Sequence, residues 1–143
     1  MMGVLLAVLA GAGLVMALST TGDRGAESAA RPRRYGSVIG VRAEKLEEYK
    51  KLHAAVWPGV LRTIGECNIR NYSIYLRRLE DGQYYLFSYF EYVGSDFEAD
   101  MKKMAADPTT QEWWAMCGPC QKPLSDRKDG EWWAGMEEVF HTD

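Results

Sequence analysis

The feature that most restricts the fold of this chain is a hairpin flanked on each side by a strand-and-helix unit. In residues 69–79, Tyr72, Ile74 and Leu76 alternate with Ser73, Tyr75 and Arg77, the period of a half-buried strand. Glu80-Asp81-Gly82 supplies a turn, and residues 84–93 return as the partner strand. Upstream, residues 34–42 read as a β-branched strand. Residues 43–67 follow as an amphipathic helix with Glu44, Glu47 and Glu48 near its N-terminus. Pro58 falls inside that helix and should kink or restart it near Trp57. Downstream, Ser95 is expected to cap a helix reaching residue 106, with Glu98 completing a capping box. Asp107-Pro108 breaks it. Residues 109–116 then make a further helical turn or two, 119–130 form a loop, and 139–141 close the chain as a strand.

That order, β-α-β-β-α-β, is the split unit of an α+β, ferredoxin-like sandwich. One sheet with helices on one face leaves the other face bare. Such units hide it by pairing sheet to sheet, or edge to edge into a barrel, so a homodimer is expected.

The first 21 residues set a separate question. Residues 3–18 are an uncharged apolar run that as a helix spans roughly 24 Å, short for a bilayer core of about 30 Å. It reads as a signal peptide or a membrane anchor, giving a membrane-anchored or exported protein. Arg24, Arg31, Arg33 and Arg34 follow the run and no Lys or Arg precedes it, which suits a reverse-oriented anchor with a cytoplasmic domain. A translation start further along is the third reading. Residues 22–34 form a flexible linker, and 35–143 the folded domain. With a net charge of −3 and no basic patch among the aromatics, nucleic acid is not an expected partner.

Tyr49 and His53 lie four apart and share a helix face with Leu46, Val56, Val60 and Ile64. A histidine and a phenol on an inward stripe require partners or a pocket. His53 is one of two histidines in the chain, and the first candidate to move protons at neutral pH. Five Trp and eight Tyr in so small a domain suit core and interface packing, and equally a small-molecule site. Trp57, Trp132-Trp133 and His141 are read as structural.

Four strings lie in order: Glu48-Tyr49-x3-His53-x3-Trp57-Pro58, Asn71-Tyr72-Ser73-Ile74-Tyr75-Leu76, Gln111-Glu112-Trp113-Trp114 and Met136-Glu137-Glu138-Val139-Phe140-His141. Together they resemble the L-rhamnose mutarotase family over residues 35–141. The resemblance implies a dimeric α/β-barrel-type isomerase that interconverts the α and β anomers of L-rhamnose, or of a related deoxyhexose such as L-fucose, without a cofactor or metal. It implies His53 as the catalytic proton donor, and Tyr49, Tyr72, Trp113 and Trp114 as substrate-binding residues. Two departures are visible. Gly59 follows Trp57-Pro58 where the family commonly has Glu, and the loop 117–133 is longer than in the shorter bacterial members.

The residues suit that chemistry on their own terms. Ring opening needs a group that moves a proton at the anomeric centre, and an imidazole does so near neutrality. Tyr49 can orient the sugar or act as a second relay, and tryptophan faces suit its C–H groups. Two further readings of the residues remain, a non-catalytic sugar-binding module and a haem-binding monooxygenase-like barrel with His53 as axial ligand. Cys117-Gly118-Pro119-Cys120 looks like a thioredoxin active site, but the βαβ lead-in and the following elements of that fold are missing. The two cysteines read as a small-loop disulfide if exported and as thiols if cytosolic, with Cys67 buried. A closed zinc site would need four ligands, which are not in sight.

Overall fold

The computed structural model describes residues 31–142. The apolar leader and most of the linker lie outside that range. Strand β1 (Arg33–Val41) pairs antiparallel with β3 (Tyr84–Tyr92), which pairs antiparallel with β2 (Ile69–Arg78). The outer edge of β1 is shared by two short antiparallel strands. One, β4 (Gln121–Lys122), lies opposite Gly40 and Val41; the other, β5 (Ala134–Met136), lies opposite Gly36, Ser37 and Val38. Helices α1 (Leu46–His53), α2 (Pro58–Glu66), α3 (Phe97–Ala106) and α4 (Pro108–Cys117) pack on one face. The result is the expected α+β, ferredoxin-like order, its antiparallel sheet curled into a half-barrel.

The upstream helix is two helices because of Pro58. Its ring disfavours the α conformation at the preceding residue, and Trp57 is extended at φ −63°, ψ 137°. Pro58 then opens α2 at a position where no amide is needed. The cap of α3 lies one residue beyond the expected Ser95: Asp96 accepts from the Ala99 amide at 3.0 Å. Asp107 caps α4 through the Thr110 amide and hydroxyl, at 2.7 and 2.8 Å. Capped and opened by Pro108, α4 runs ten residues, longer than the turn or two expected.

The last strand is not at 139–141. The β1 edge is filled by residues 121–122 and 134–136, within and just beyond the segment expected to be loop. Gly40 allows this closeness, since a Cβ there would lie 2.8 Å from the Lys122 carbonyl oxygen. The tail is held instead by an Arg34–Glu138 ion pair at 2.9 Å, leaving Val139 and Phe140 exposed.

Two apolar clusters sit between sheet and helices. Ile39, Val41 and Leu86 meet Leu46, Tyr49, Val60 and Trp113; Ile69 and Phe90 meet Cys67, Met101 and Met104. Ile69 and Tyr72 are three positions apart on β2, so plain alternation would set them on opposite faces. A bulge brings them to one side. Pairing steps from Arg70↔Glu91 to Ser73↔Tyr89, and the extra residue is absorbed where Asn71 adopts φ 50°. The Asn71 amide donates to the Glu91 carboxylate at 2.7 Å. Tyr72 meets Phe90 edge-on at 5.7 Å, and Ile74 packs on the first cluster.

Candidate active site

A cavity of about 70 Å³ lies between the helices and the sheet. Its wall includes Tyr49 and His53 from α1, Tyr72 and Ile74 from β2, and Trp113, Trp114 and Cys117 from α4. Gly118, Gln121, Trp132 and Trp133 complete it. All five residues singled out from the sequence therefore face one space.

The local geometry fixes how His53 is protonated. Its Nδ1 lies 3.0 Å from the Tyr49 carbonyl oxygen, one turn back on the same helix. A carbonyl only accepts, so Nδ1 carries the hydrogen and donates it. In the neutral ring Nε2 is then the free base. The ring is stacked on Tyr49 with centroids 4.0 Å apart and meets the edge of Trp113 at 5.3 Å. Burial lowers the His53 pKa, with the hydrogen bond to the Tyr49 carbonyl pulling the other way. The neutral imidazole is therefore the favoured form at pH 7.

Tyr49 is 5% exposed, and burial raises its phenol pKa far above the usual value, helped by Tyr72 and Cys117 and opposed by the Gln121 amide. Tyr72 keeps 44% of its surface exposed, yet burial at the hydroxyl end pushes its pKa up to about 12. Both remain neutral hydrogen-bonding groups through neutral pH. Trp113 is buried and also contacts the edge of Trp57 at 5.5 Å, so it serves core and cavity together; Trp114 is half-buried. Trp57 packs against the core as expected.

Among the wall residues not singled out as functional are Trp132, Trp133 and Gln121. Trp132 and Trp133, read as packing, both line the cavity, and Gln121 accepts the Trp132 indole N–H at 2.6 Å. The second Trp-Trp doublet, an echo of Trp113-Trp114, was the available signal; Gln121 had none. The cysteines are free thiols, and burial pushes Cys117 up to about 12 and raises Cys120 as well. That is opposite to the thiolate that thioredoxin chemistry requires. Among the described residues no cluster of His, Cys, Asp and Glu is arranged to hold a metal.

Fold and cavity together define a ferredoxin-like α+β protein with an aromatic-walled site around one histidine. The L-rhamnose mutarotase family model matches residues 34–142. The chain is 32% identical over 111 residues to the L-rhamnose mutarotase of Oceanobacillus iheyensis, covering 78% of this chain and 99% of that protein, and equally to that of Bacillus subtilis. The crystal structure of an L-rhamnose mutarotase from Formosa agariphila superposes with TM-score 0.57 at 19% identity, over 78% of this chain and 99% of that one. The chain belongs to the L-rhamnose mutarotase family, a family of isomerases.

These matches correct one expectation, that of a membrane-anchored or exported protein attached through residues 3–18. The relatives align almost end to end with the part of the chain that follows the apolar run. No helix among the described residues is long and apolar enough to cross a membrane. The run itself lies outside the described residues.

Proposed function

We propose that this protein accelerates the exchange of α and β anomers of L-rhamnose or a closely related deoxyhexose such as L-fucose, with His53 as the proton-transfer group. The observation that carries the reading is the free Nε2 of a neutral His53 in a cavity shared with Tyr49, Tyr72 and a tryptophan wall. Such a cavity suits a ligand with an apolar face and a hydroxyl-bearing edge.

In this reading, His53 Nε2 takes the proton of the anomeric hydroxyl. The C1–O1 bond becomes a carbonyl, the bond from C1 to the ring oxygen breaks, and the ring oxygen receives the proton. Rotation about C1–C2 presents the other carbonyl face, and the same steps in reverse close the ring. The net change is one proton moved between two oxygens on one carbon, so no electron carrier or Lewis acid is called for. General acid–base catalysis of this kind contributes about 10²–10⁴-fold. Tyr49 and Tyr72 bind sugar oxygens, and Trp113 and Trp114 lie against its C–H face.

The same reading includes a homodimer. The sheet face away from the helices carries the row Tyr75, Phe87 and Val38, and exposes Tyr75 and Met136. A second copy of the chain would cover it, and sedimentation of the full chain at two loadings reads the mass directly.

The test is saturation-transfer proton NMR of anomer exchange on L-rhamnose, then L-fucose, with wild type and His53→Ala. Exchange above the buffer rate that disappears in the variant supports the reading and selects the sugar. Sugar binding without acceleration, followed by tryptophan fluorescence, would leave a binding module instead.

A further inference from the structure

We propose that Gln121, locked by the Trp132 indole, is a positioning residue that makes the Tyr49 hydroxyl a dedicated hydrogen-bond donor to the sugar. The inference rests on the cavity being a sugar site and adds a role for the segment after α4.

Gln121 is 7% exposed and sits in the wall of the cavity. A buried amide has two ends with opposite hydrogen-bonding character, and its function depends on which end points where. Here the choice is forced. The indole N–H of Trp132 can only donate, and it meets Gln121 Oε1 at 2.6 Å. The amide nitrogen is therefore the end left for the cavity side. Gln121 and Tyr49 line the same cavity, and the Gln121 side chain opposes the rise in the Tyr49 pKa, the sign expected when an N–H donates to the phenol oxygen.

A phenol oxygen that accepts one N–H still has its own proton to place. The amide nitrogen of Gln121 cannot accept it, so that proton is free for a substrate oxygen. Tyr49 stays protonated through neutral pH because it is buried. Its ring is stacked on His53, so donor and base stand side by side on successive turns of α1. That pairing matches the two oxygens at an anomeric carbon. The base takes the hydroxyl proton while the donor holds the ring oxygen, and the second contact strengthens as that oxygen gains charge.

The backbone at Gln121 is fixed as well. Val41 pairs with Gln121, and Gly40 lets β4 approach β1 closely. Gln121 thus projects from a pinned edge and Trp132 from the far end of the loop, so loop 123–133 reaches the reacting centre through two side chains.

The experiment measures anomer-exchange rate against sugar concentration for the full chain and five variants: Gln121→Met, Gln121→Glu, Trp132→Phe, Tyr49→Phe and the double variant Gln121→Met/Tyr49→Phe. Gln121→Met and Tyr49→Phe should each lower the maximal rate by about tenfold, with a smaller change in half-saturating sugar. The double variant should be no slower than Tyr49→Phe alone. Trp132→Phe keeps an aromatic plane without the N–H and should fall between. Gln121→Glu should be slow at neutral pH, where a carboxylate claims the Tyr49 proton, and its rate relative to wild type at the same pH should recover as pH falls and the carboxyl is protonated. If Gln121→Met does not fold, as judged by its circular dichroism melt, the Trp132→Phe rate and the Gln121→Glu pH profile decide. An active wild type with Gln121→Met and Trp132→Phe within about twofold of it, a difference of under about 0.5 kcal/mol, overturns this inference alone. Additive losses in the double variant do the same. A wild type that accelerates neither sugar overturns the sugar-site reading and this inference with it.

Discussion

His53 Nδ1 donates to the Tyr49 carbonyl 3.0 Å away, and this one bond decides which nitrogen of the ring is available for chemistry. With Nε2 as the base and the pKa below the ordinary histidine value, the rate should be flat above about pH 6.5 and fall below it as the ring protonates. His53→Ala should lower the exchange rate about 10²–10⁴-fold. The pH profile of kcat/KM checks the first statement and the variant the second. Stability carries the same sign. The unfolded chain binds this proton first, near pH 6.5, so the folded state loses stability as pH falls from there through the lowered folded pKa. A profile that instead declines from pH 5 to 7 would mean that the protonated ring is the working form.

The bulge at Asn71 gives a stability prediction. A β-branched side chain at φ 50° costs about 1–2 kcal/mol, so Asn71→Val should lower the denaturation midpoint and the exchange rate together. Asn71→Gly suits the backbone and forfeits only the exposed bond to Glu91, so it should be close to wild type. Urea melts of the two variants check the difference. Equal midpoints would show that the bulge is not held by its backbone conformation.

Gly59 stands where the resemblance led to an expected Glu, and its surroundings are crowded. A Cβ at this position would lie 2.9 Å from Thr109 Cγ2, where α2 rests on α4. Gly59→Glu should cost about 1–3 kcal/mol, and adding Thr109→Ser, which removes that methyl, should restore most of it. Thermal melts of the single and double variants measure the recovery. An unchanged single variant would show that the two helices part without cost.

Cys117 and Cys120 should behave as inert thiols. Burial raises the pKa of both, leaving little thiolate at pH 8. Iodoacetamide at that pH should leave them unlabelled in the folded protein and label them in urea, as counted by intact mass. Rapid labelling of Cys117 in the folded state would restore a redox reading of the Cys-Gly-Pro-Cys string.

What could be read beforehand follows from periodicity. The α1 stripe and the β2–β3 hairpin repeat at 3.6 and 2 residues, so their inward faces, and with them Tyr49, His53, Tyr72 and Ile74, were legible. The break at Trp57 was legible because proline acts on its neighbour. Strands β4 and β5 were not, because two and three residues are too short to show a period. They form where β1 offers an unfilled edge, which is a tertiary condition. Gln121 and Trp132 were hidden for the same reason: their hydrogen bond joins two ends of an aperiodic loop. The cap on α3 was misplaced by one residue because Ser95 and Asp96 are both competent caps and only geometry chooses.

The slip at Asn71 also divides the labour within one strand. Ile69 belongs to the cluster under α3, and Ile74 to the one beside the cavity. Without the extra residue the two would be bound to a single alternation, and any shift of the strand to suit a ligand would turn out residues that anchor α3. With it, the ligand-facing half keeps its own phase. The cavity residues Tyr72 and Ile74 can therefore change without disturbing the half that secures α3.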